Sequence, residues 1–225
     1  MLILSRSELM LTLYASPESL YCAKLRVLLR HKQVAWNEVM PEGGCGSASY
    51  RQMIPAGTMP AIEIDGLVLA DSEAIAEYLE ETVAEPPMLP RDAAARARCR
   101  ERSRFHDTRL EPEVRKLFPH VGSATRGSEI VEAQSRALTQ RFEELSRLLA
   151  ADDGRNTELL GLGECGFPIS FAWIDAFTQP MGLELQWPDN VIEYRAQIES
   201  HAAVRDELAA YAPAMRDWLR SKNVG

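Results

Sequence analysis

Residues 58–81 read TMPAIEIDGLVLADSEAIAEYLEE, and this stretch decides the fold of the N-terminal part of the chain. Its first half holds two apolar runs, Ala61–Ile64 and Leu67–Ala70, on either side of Asp65-Gly66, the dipeptide most typical of a two-residue hairpin turn. The second half opens with Asp71-Ser72, and its apolar residues then recur at helical spacing. We therefore predict a β-hairpin that leads directly into a helix.

Two further strand–helix pairs are predicted upstream of this hairpin. Leu11–Tyr14 and Val34–Val39 have the apolar content of short strands, whereas Ser19–His31 and Ser49–Ile54 favour helices. The order strand, helix, strand, helix, hairpin, helix predicts a mixed sheet of four strands whose first two strands run parallel.

The helix over Ser19–His31 is predicted to be amphipathic, with a serine near its start and cations towards its end. Its two faces are an apolar one, with Leu25, Val27, Leu28 and Leu29, and a basic one, with Lys24, Arg26, Arg30 and Lys32. We expect the apolar face to be buried and the basic residues to lie on the opposite, polar face.

Strand signals end after residue 92, and helices take over. Residues 82–92, TVAEPPMLPRD, contain three prolines, which is typical of a linker. The helices predicted beyond it are Ala93–Lys116, Glu129–Ala150, Ser170–Met181, Val191–Glu199 and Ala202–Ser221. The predicted organisation is an N-terminal extension (1–9), an α/β domain (10–83), a linker (84–91) and an all-helical domain (92–225).

The bulk composition is that of a soluble globular protein, with 46% hydrophobic and 26% charged residues. A net charge of −8 argues against a general affinity for nucleic acid or anionic lipid. No apolar run reaches the roughly 20 residues of a membrane-spanning helix. The four cysteines are spaced neither like the ligand pairs of a metal site nor like a disulfide framework. They are Cys22, Cys45, Cys99 and Cys165. We therefore expect no metal site and a reducing, cytoplasmic location.

The stretch most suggestive of chemistry is SPESLYCAK, residues 16–24, where the first strand turns into the first helix. A hydroxyl at Ser19 would lie beside helix N-terminal amides, which attract anions and lower the pKa of nearby thiols. Such a turn suits the stabilisation of a thiolate, although a serine that simply caps the helix explains the same residue. Cys22 also has two interpretations, a reactive thiol or a small buried packing residue.

Three motifs, in this order and spacing, resemble the cytosolic glutathione S-transferase superfamily, in its serine-type, bacterial-like form. They are S-x-x-C-x-K-x-R at Ser19–Arg26, x-P-A at Met59–Ala61, and Asp71-Ser72 followed by AIAEYL. The resemblance covers about Met10 to the C-terminus and implies a thioredoxin-like N-terminal domain followed by an all-helical C-terminal domain. It also implies glutathione as co-substrate, a small hydrophobic electrophile and a homodimer.

The resemblance implies a role for each of several residues. Ser19 would donate a hydrogen bond to the glutathione sulfur. A cis Met59–Pro60 bond would turn the backbone groups of Met59 towards the cysteinyl backbone of glutathione, as a missing strand would. Asp71 would accept from the ammonium of the γ-glutamyl end, and Ser72 would bind its carboxylate. An electrophile pocket between the domains would be lined from the first long C-terminal helix, by Phe105, His106 and Arg109.

Several positions depart from the family pattern. Ile54 replaces the asparagine that often opens the NPxxxVP stretch, and Met59 replaces its commoner valine. No typical glutamine or lysine is present for the glycyl carboxylate of glutathione. In the capping box S-x-A-D, Trp173 replaces the acid, so Ser170 is predicted to cap its helix alone. Tyr14 lies inside the first strand and is not expected to activate the thiol.

Conjugation of glutathione to small hydrophobic electrophiles is the predicted activity. Glutathione-dependent cis–trans isomerisation, as in maleylacetoacetate-type relatives, is the alternative enzyme. Those relatives show a Ser-Ser-Cys run where this chain has Ser19-Leu20-Tyr21, which counts against it. A non-catalytic ligand-binding or stress protein with the same fold and thiol–disulfide reduction through Cys22 are the remaining hypotheses.

Overall fold

The computed structural model describes residues 11–122, 127–152, 155–156 and 158–223. The chain divides into two compact units, of which the first ends at Leu89 and the second begins at Pro90. This division falls inside the predicted linker 84–91, whereas the predicted extension 1–9 lies outside the described residues.

A four-stranded sheet lies at the centre of the first unit. Its strands are β1 (Leu11–Tyr14), β2 (Trp36–Val39), β3 (Ala61–Ile64) and β4 (Leu67–Ala70), in the order β2-β1-β3-β4. β1 is parallel to β2 and antiparallel to β3, so the prediction of a mixed sheet with a parallel first unit is confirmed. β2 begins at Trp36 rather than at the predicted Val34.

The hairpin between β3 and β4 turns at Asp65-Gly66, as predicted. Both residues have positive φ angles, 50° for Asp65 and 80° for Gly66. A two-residue hairpin turn of type I′ requires this conformation at both central positions, which is why Asp-Gly is favoured there. The turn therefore fixes the register in which Ala61 pairs with Ala70.

Three helices accompany the sheet: α1 (Leu20–Lys32), α2 (Ala48–Met53) and α3 (Ser72–Thr82). Each is capped at its N-terminus by a side-chain oxygen that accepts backbone N–H groups. The caps are Ser19, Ser47 and Asp71, all residue types that favour this position because their short side chains reach the free amides of the first turn.

Most basic residues of α1 are buried, so the prediction that they lie on a polar face is wrong. Lys24, Arg26 and Lys32 are only 2%, 7% and 0% exposed. A buried cation requires a charged or polar partner, and each of the three has a carboxylate beside it. The ion pairs are Lys24–Glu73 at 2.7 Å, Arg26–Glu38 at 2.9 Å and Lys32–Glu80 at 2.6 Å.

The Lys32–Glu80 pair also fixes the segment that ends the first unit. Lys32 Nζ donates to two carbonyl oxygens, and Glu80 Oε1 accepts two N–H groups at 3.0 Å. The four backbone groups are the carbonyls of Val83 and Pro86 and the amides of Met88 and Leu89. One buried ion pair thus satisfies polar backbone groups that have no strand or helix to pair with.

The described residues of the second unit form helices and the loops between them, without a strand. Its helices are α4 (Ala93–Phe105), a π turn (His106–Leu110), α5 (Glu111–Leu117), α6 (Ser128–Ala150), α7 (Phe167–Met181), α8 (Asp189–Glu199) and α9 (Ala202–Ser221). The π turn interrupts the predicted helix Ala93–Lys116, and Pro112, which has no N–H to donate, follows it in the first turn of α5. None of the described helices combines the length and the apolar content that crossing a bilayer requires.

Ser170 does not cap α7, so that prediction is wrong. The helix begins at Phe167, and Ser170 is fully buried inside its first turn. The Ser170 hydroxyl lies 2.8 Å from His106 Nε2, and His106 Nδ1 lies 2.8 Å from Asp107. Because a carboxylate only accepts, Nδ1 carries the proton in the neutral form of the ring, and in that form Ser170 donates to Nε2. Trp173, at the position of the missing acid, is fully buried in the core.

Candidate active site

The site residues predicted in the first unit follow or precede the same end of the sheet, where β1 and β4 finish and β3 begins. A single row of paired residues crosses the four strands: Val39, Tyr14, Ala61 and Ala70. The chain leaves β1 and β4 at this row and enters β3 at the same row. The Ser19 turn, the Met59–Pro60 bond and the start of α3 are therefore next to one another in the sheet order.

Ser19 is half-buried at the N-terminus of α1. Its Oγ accepts the N–H of Cys22 at 3.3 Å, so the hydroxyl proton is not used in the cap and can be donated. Two hydrogen bonds of 3.3 Å hold the preceding turn, from Ser19 N–H to the Ser16 carbonyl and from Arg26 to the Pro17 carbonyl. The hydroxyl is thus fixed at the positive end of the helix dipole.

Cys22 is fully buried one turn into α1. Burial raises the pKa of its thiol, and this effect outweighs the lowering by hydrogen bonding to Ser19 and Ser16. A thiol with a raised pKa is a poor nucleophile, because the thiolate is the reactive form. These properties favour a packing role for Cys22.

The Met59–Pro60 peptide bond is cis, as the resemblance implies. Among the residues that the structure describes, no hydrogen bond involves the N–H or C=O of Met59. The Met59 side chain packs against a small apolar cluster that includes Tyr50, Ile54 and Ala61. Unpaired backbone groups beside a strand can form hydrogen bonds with an extended peptide, which is what this position needs for ligand binding.

Asp71 caps α3, since its Oδ1 accepts the N–H groups of Glu73 and Ala74 at 2.9 and 3.1 Å. Its backbone has φ 80° and ψ 119°, a region that costs a non-glycine residue about 1–3 kcal/mol and is found chiefly at functional sites. Ser72 is only 7% exposed, yet its hydroxyl has no hydrogen-bond partner within the described ranges. Both side chains can therefore bind a polar ligand at the N-terminus of α3.

An ion pair without a clear sequence signal connects the N-terminal halves of α1 and α3. Lys24 Nζ of α1 lies 2.7 Å from Glu73 Oε2 of α3, and the two side chains are 2% and 14% exposed. Lys24 lies one turn beyond Ser19, and Glu73 directly follows Ser72, so the pair fixes the distance between these two predicted subsites. The one sequence signal for it is a lysine whose helical neighbours are mostly apolar.

The residues predicted to line an electrophile pocket do not share one exposed surface. Phe105 and His106 are 8% and 2% exposed, and His106 is hydrogen-bonded to Ser170 inside the helical unit. The Arg109 side chain is exposed and makes no hydrogen bond or ion pair with the described residues. It lies in the π turn over His106–Leu110. Of the three predicted residues, Arg109 is the one open to a ligand.

The Tyr14 hydroxyl is already hydrogen-bonded to another side chain. The Tyr14 hydroxyl donates to Glu63 at 2.9 Å, and burial, with this hydrogen bond, raises the pKa of Tyr14. Its proton is thus engaged away from Ser19. No group of three or more histidine, cysteine, aspartate or glutamate side chains in the described ranges could hold a metal ion.

Comparisons with known proteins point in one direction. Residues 13–87 match the family model "Glutathione S-transferase, N-terminal domain". The chain is 30% identical over 135 residues to a stringent starvation protein A homolog of Pasteurella multocida, across 60% of this chain and 59% of that protein. It is 27% identical over 140 residues to probable maleylacetoacetate isomerase 1 of Drosophila melanogaster, across 59% of this chain and 55% of that protein.

Among solved structures, a delta-class glutathione transferase of Nilaparvata lugens matches with a TM-score of 0.76 at 18% identity. The match covers 94% of this chain and 99% of that one. The chain spans little more than half the length of the sequence relatives named above. These likenesses therefore concern ancestry and fold, and the evidence for an activity lies in the residues at this end of the sheet.

Proposed function

Because the chain belongs to the glutathione S-transferase superfamily, we propose that it binds glutathione at this end of the sheet, beside Ser19, Met59 and Asp71. We propose further that it conjugates glutathione to small hydrophobic electrophiles. Met59 pairs through its backbone with the cysteinyl residue of glutathione. Asp71 accepts from the γ-glutamyl ammonium, and Ser72 with the α3 amides binds the γ-glutamyl carboxylate. Ser19 donates a hydrogen bond to the sulfur.

The observation that carries this proposal is the hydrogen bonding of Ser19. Its oxygen accepts the Cys22 N–H at 3.3 Å, which leaves the hydroxyl proton for an acceptor outside the helix. A thiolate is such an acceptor, and a hydrogen bond to a charged group is stronger than one between neutral groups. Ser19 therefore supports both the cap and the activation of a thiol, so the two interpretations of this residue are compatible.

The reaction requires an ionised sulfur. A thiol with an ordinary pKa near 8.5 is mostly protonated at neutral pH, and helix N-termini lower thiol pKa values to about 3.5–7.5. The Ser19 hydroxyl and the α1 dipole act on the same atom. The thiolate then attacks the electrophile, forming a carbon–sulfur bond while the electrophile loses a halide or takes up a proton.

That Phe105, His106 and Arg109 line the electrophile site remains a prediction. The burial of Phe105 and His106 favours a structural role for both side chains. Arg109 is an exposed guanidinium, which suits a carboxylate on the substrate. A cation of this kind also fits the alternative reaction, isomerisation of a cis-diacid with glutathione, and one of the sequence relatives carries the name maleylacetoacetate isomerase.

We also propose a homodimer in the cytoplasm. β4 lies at the edge of the sheet, and its Leu67 and Val68 side chains are 40% and 36% exposed. An exposed apolar edge strand favours association, because burial removes both apolar surface and unpaired backbone from water. All four cysteines are free thiols, in keeping with a reducing compartment. Analytical ultracentrifugation tests the dimer.

Isothermal titration with glutathione tests the proposal, followed by conjugation assays on a panel of halides, epoxides and enones. We expect binding at or below millimolar concentration and turnover on at least one electrophile class. A parallel panel of cis-diacids separates conjugation from isomerisation. Glutathione binding without turnover on either panel would favour the non-catalytic ligand-binding protein. No binding would refute the proposal.

A further inference from the structure

One short segment holds the backbone that leads into the cis bond. Arg51, in α2, donates through Nη1 to the carbonyls of Pro55 and Ala56 at 3.2 and 3.1 Å. The same guanidinium donates through Nε to the Gly46 carbonyl at 3.0 Å. One side chain therefore ties together the loop before α2 and the loop after it.

The next two carbonyls along the chain are held from the same segment. The Gly57 carbonyl accepts the Gly46 N–H at 2.9 Å, and the Thr58 carbonyl accepts the Tyr50 hydroxyl at 3.0 Å. Gly57 has φ +67°, and a Cβ there would lie 2.9 Å from Gly46 Cα, so both the conformation and the close approach require glycine. Four consecutive carbonyls, 55–58, are thus fixed immediately before Met59.

Tyr50 is built into this arrangement more firmly than Arg51. It is 3% exposed, and its ring packs in the cluster of Ile54, Ala61 and Met59. Burial raises the pKa of Tyr50 to about 12, so its hydroxyl stays protonated and can donate throughout the physiological range. Arg51 is exposed, and its hydrogen bonds are open to water.

The hydrogen bonding of residues 55–58 differs from that of Met59, which follows them. The carbonyls of residues 55–58 all have partners from the protein, whereas no hydrogen bond from the described residues reaches the backbone of Met59. A binding strand needs this combination, because its free N–H and C=O groups must be held in place before the ligand arrives.

We propose that Tyr50, assisted by Arg51, is a positioning residue for glutathione, which holds the Thr58 carbonyl and so fixes the Met59 backbone that pairs with the cysteinyl residue. This inference rests on the proposed function and deepens it. Tyr50 touches no ligand atom, so it acts on binding rather than on the chemistry of the sulfur.

Tyr50→Phe removes the hydroxyl and keeps the ring. Tyr14→Phe is the matched control, because the two rings are 6.0 Å apart and the Tyr14 hydroxyl bonds to Glu63 rather than to the loop. By isothermal titration we expect Tyr50→Phe to weaken glutathione binding about three- to tenfold, the effect of one net hydrogen bond. We expect the affinity of Tyr14→Phe to match that of the unmodified protein.

Kinetics and hydrogen exchange separate positioning from a general loss of stability. We expect the KM for glutathione to rise in Tyr50→Phe with little change in kcat, the pattern of lost binding. Amide exchange without ligand should become faster at Gly46 and Gly57, whose N–H groups bond to the Gly57 and Ile54 carbonyls, than elsewhere in the unit. A lower unfolding midpoint with unchanged glutathione affinity would overturn the inference, because Tyr50 would then be structural only.

Arg51→Gln provides a second variant on an exposed residue, should Tyr50→Phe fold poorly. It is expected to weaken glutathione binding in the same direction and to a smaller extent, and an affinity equal to that of the unmodified protein in both variants overturns the inference. If the unmodified protein itself binds no glutathione, the proposed function fails first. The two failures are therefore distinguished by one measurement on the unmodified chain.

Discussion

Replacing Ser19 by alanine is expected to slow conjugation most strongly at low pH. The hydroxyl donates to an anionic sulfur, and a hydrogen bond to a charged group contributes about 1.5–3 kcal/mol. Since one pKa unit corresponds to about 1.36 kcal/mol, loss of this bond raises the pKa of the bound thiol by about one to two units. Because only the thiolate attacks, the rate below both pKa values falls about 10- to 100-fold.

The sign of the pH dependence follows from the direction of this shift. A raised thiol pKa means that the variant needs a higher pH to form the same fraction of thiolate. Its deficit is therefore largest in acid and disappears as the pH rises through the pKa of the variant. With glutathione saturating, the pH dependence of kcat/KM for the electrophile reports the enzyme–glutathione complex, and its acidic limb should move to higher pH.

Two further variants separate activation from capping. Alanine also removes the acceptor for the Cys22 N–H, which costs about 0.5–2 kcal/mol of stability. Ser19→Asp keeps a capping oxygen but has no proton to donate, so it should be stable and slow. Ser19→Thr keeps both functions and should retain most of the rate. A Ser19→Ala profile that superimposes on the unmodified one would refute the reasoning, as would full activity in Ser19→Asp.

Three other expectations concern buried residues. Lys32→Met leaves Glu80 buried without its cation and should lower the free energy of unfolding by about 3–5 kcal/mol in urea denaturation; a loss below about 1 kcal/mol would contradict the pairing. Gly166→Ala places a Cβ against the His106 ring and should cost about 1–3 kcal/mol in the same assay, whereas an unchanged midpoint would mean that the ring moves aside freely. Cys22→Ala should leave the conjugation rate unchanged, since its thiol is buried, and a large loss of rate would assign Cys22 to the chemistry.

The parts of the fold that depend on neighbouring residues were predictable. The hairpin followed from Asp65-Gly66 because a two-residue turn restricts the backbone so tightly that few dipeptides fit. Ser19 and Asp71 were placed at helix starts because their short side chains reach the first free amides. The resemblance likewise supplied the cis bond before Pro60, which the structure confirms.

Interactions between distant residues were not predictable from one sequence. The basic residues of α1 looked solvent-exposed because their carboxylate partners are far away along the chain, as in the Lys24–Glu73 pair. Ser170 was predicted as a cap from the S-x-A-D pattern, whereas its hydroxyl bonds to His106, which is far away along the chain. Tyr50 carried no signal at all, since its role depends on a carbonyl at the far end of a loop.

Spectroscopic titration of bound glutathione tests the central claim most directly. The ultraviolet absorbance of the thiolate, followed against pH in the complex with the unmodified protein, gives the pKa of the bound sulfur. We expect a value at least about one unit below the ordinary 8.5, so that the sulfur is largely ionised at neutral pH. A bound thiol that titrates at or above its value in free solution would contradict the account.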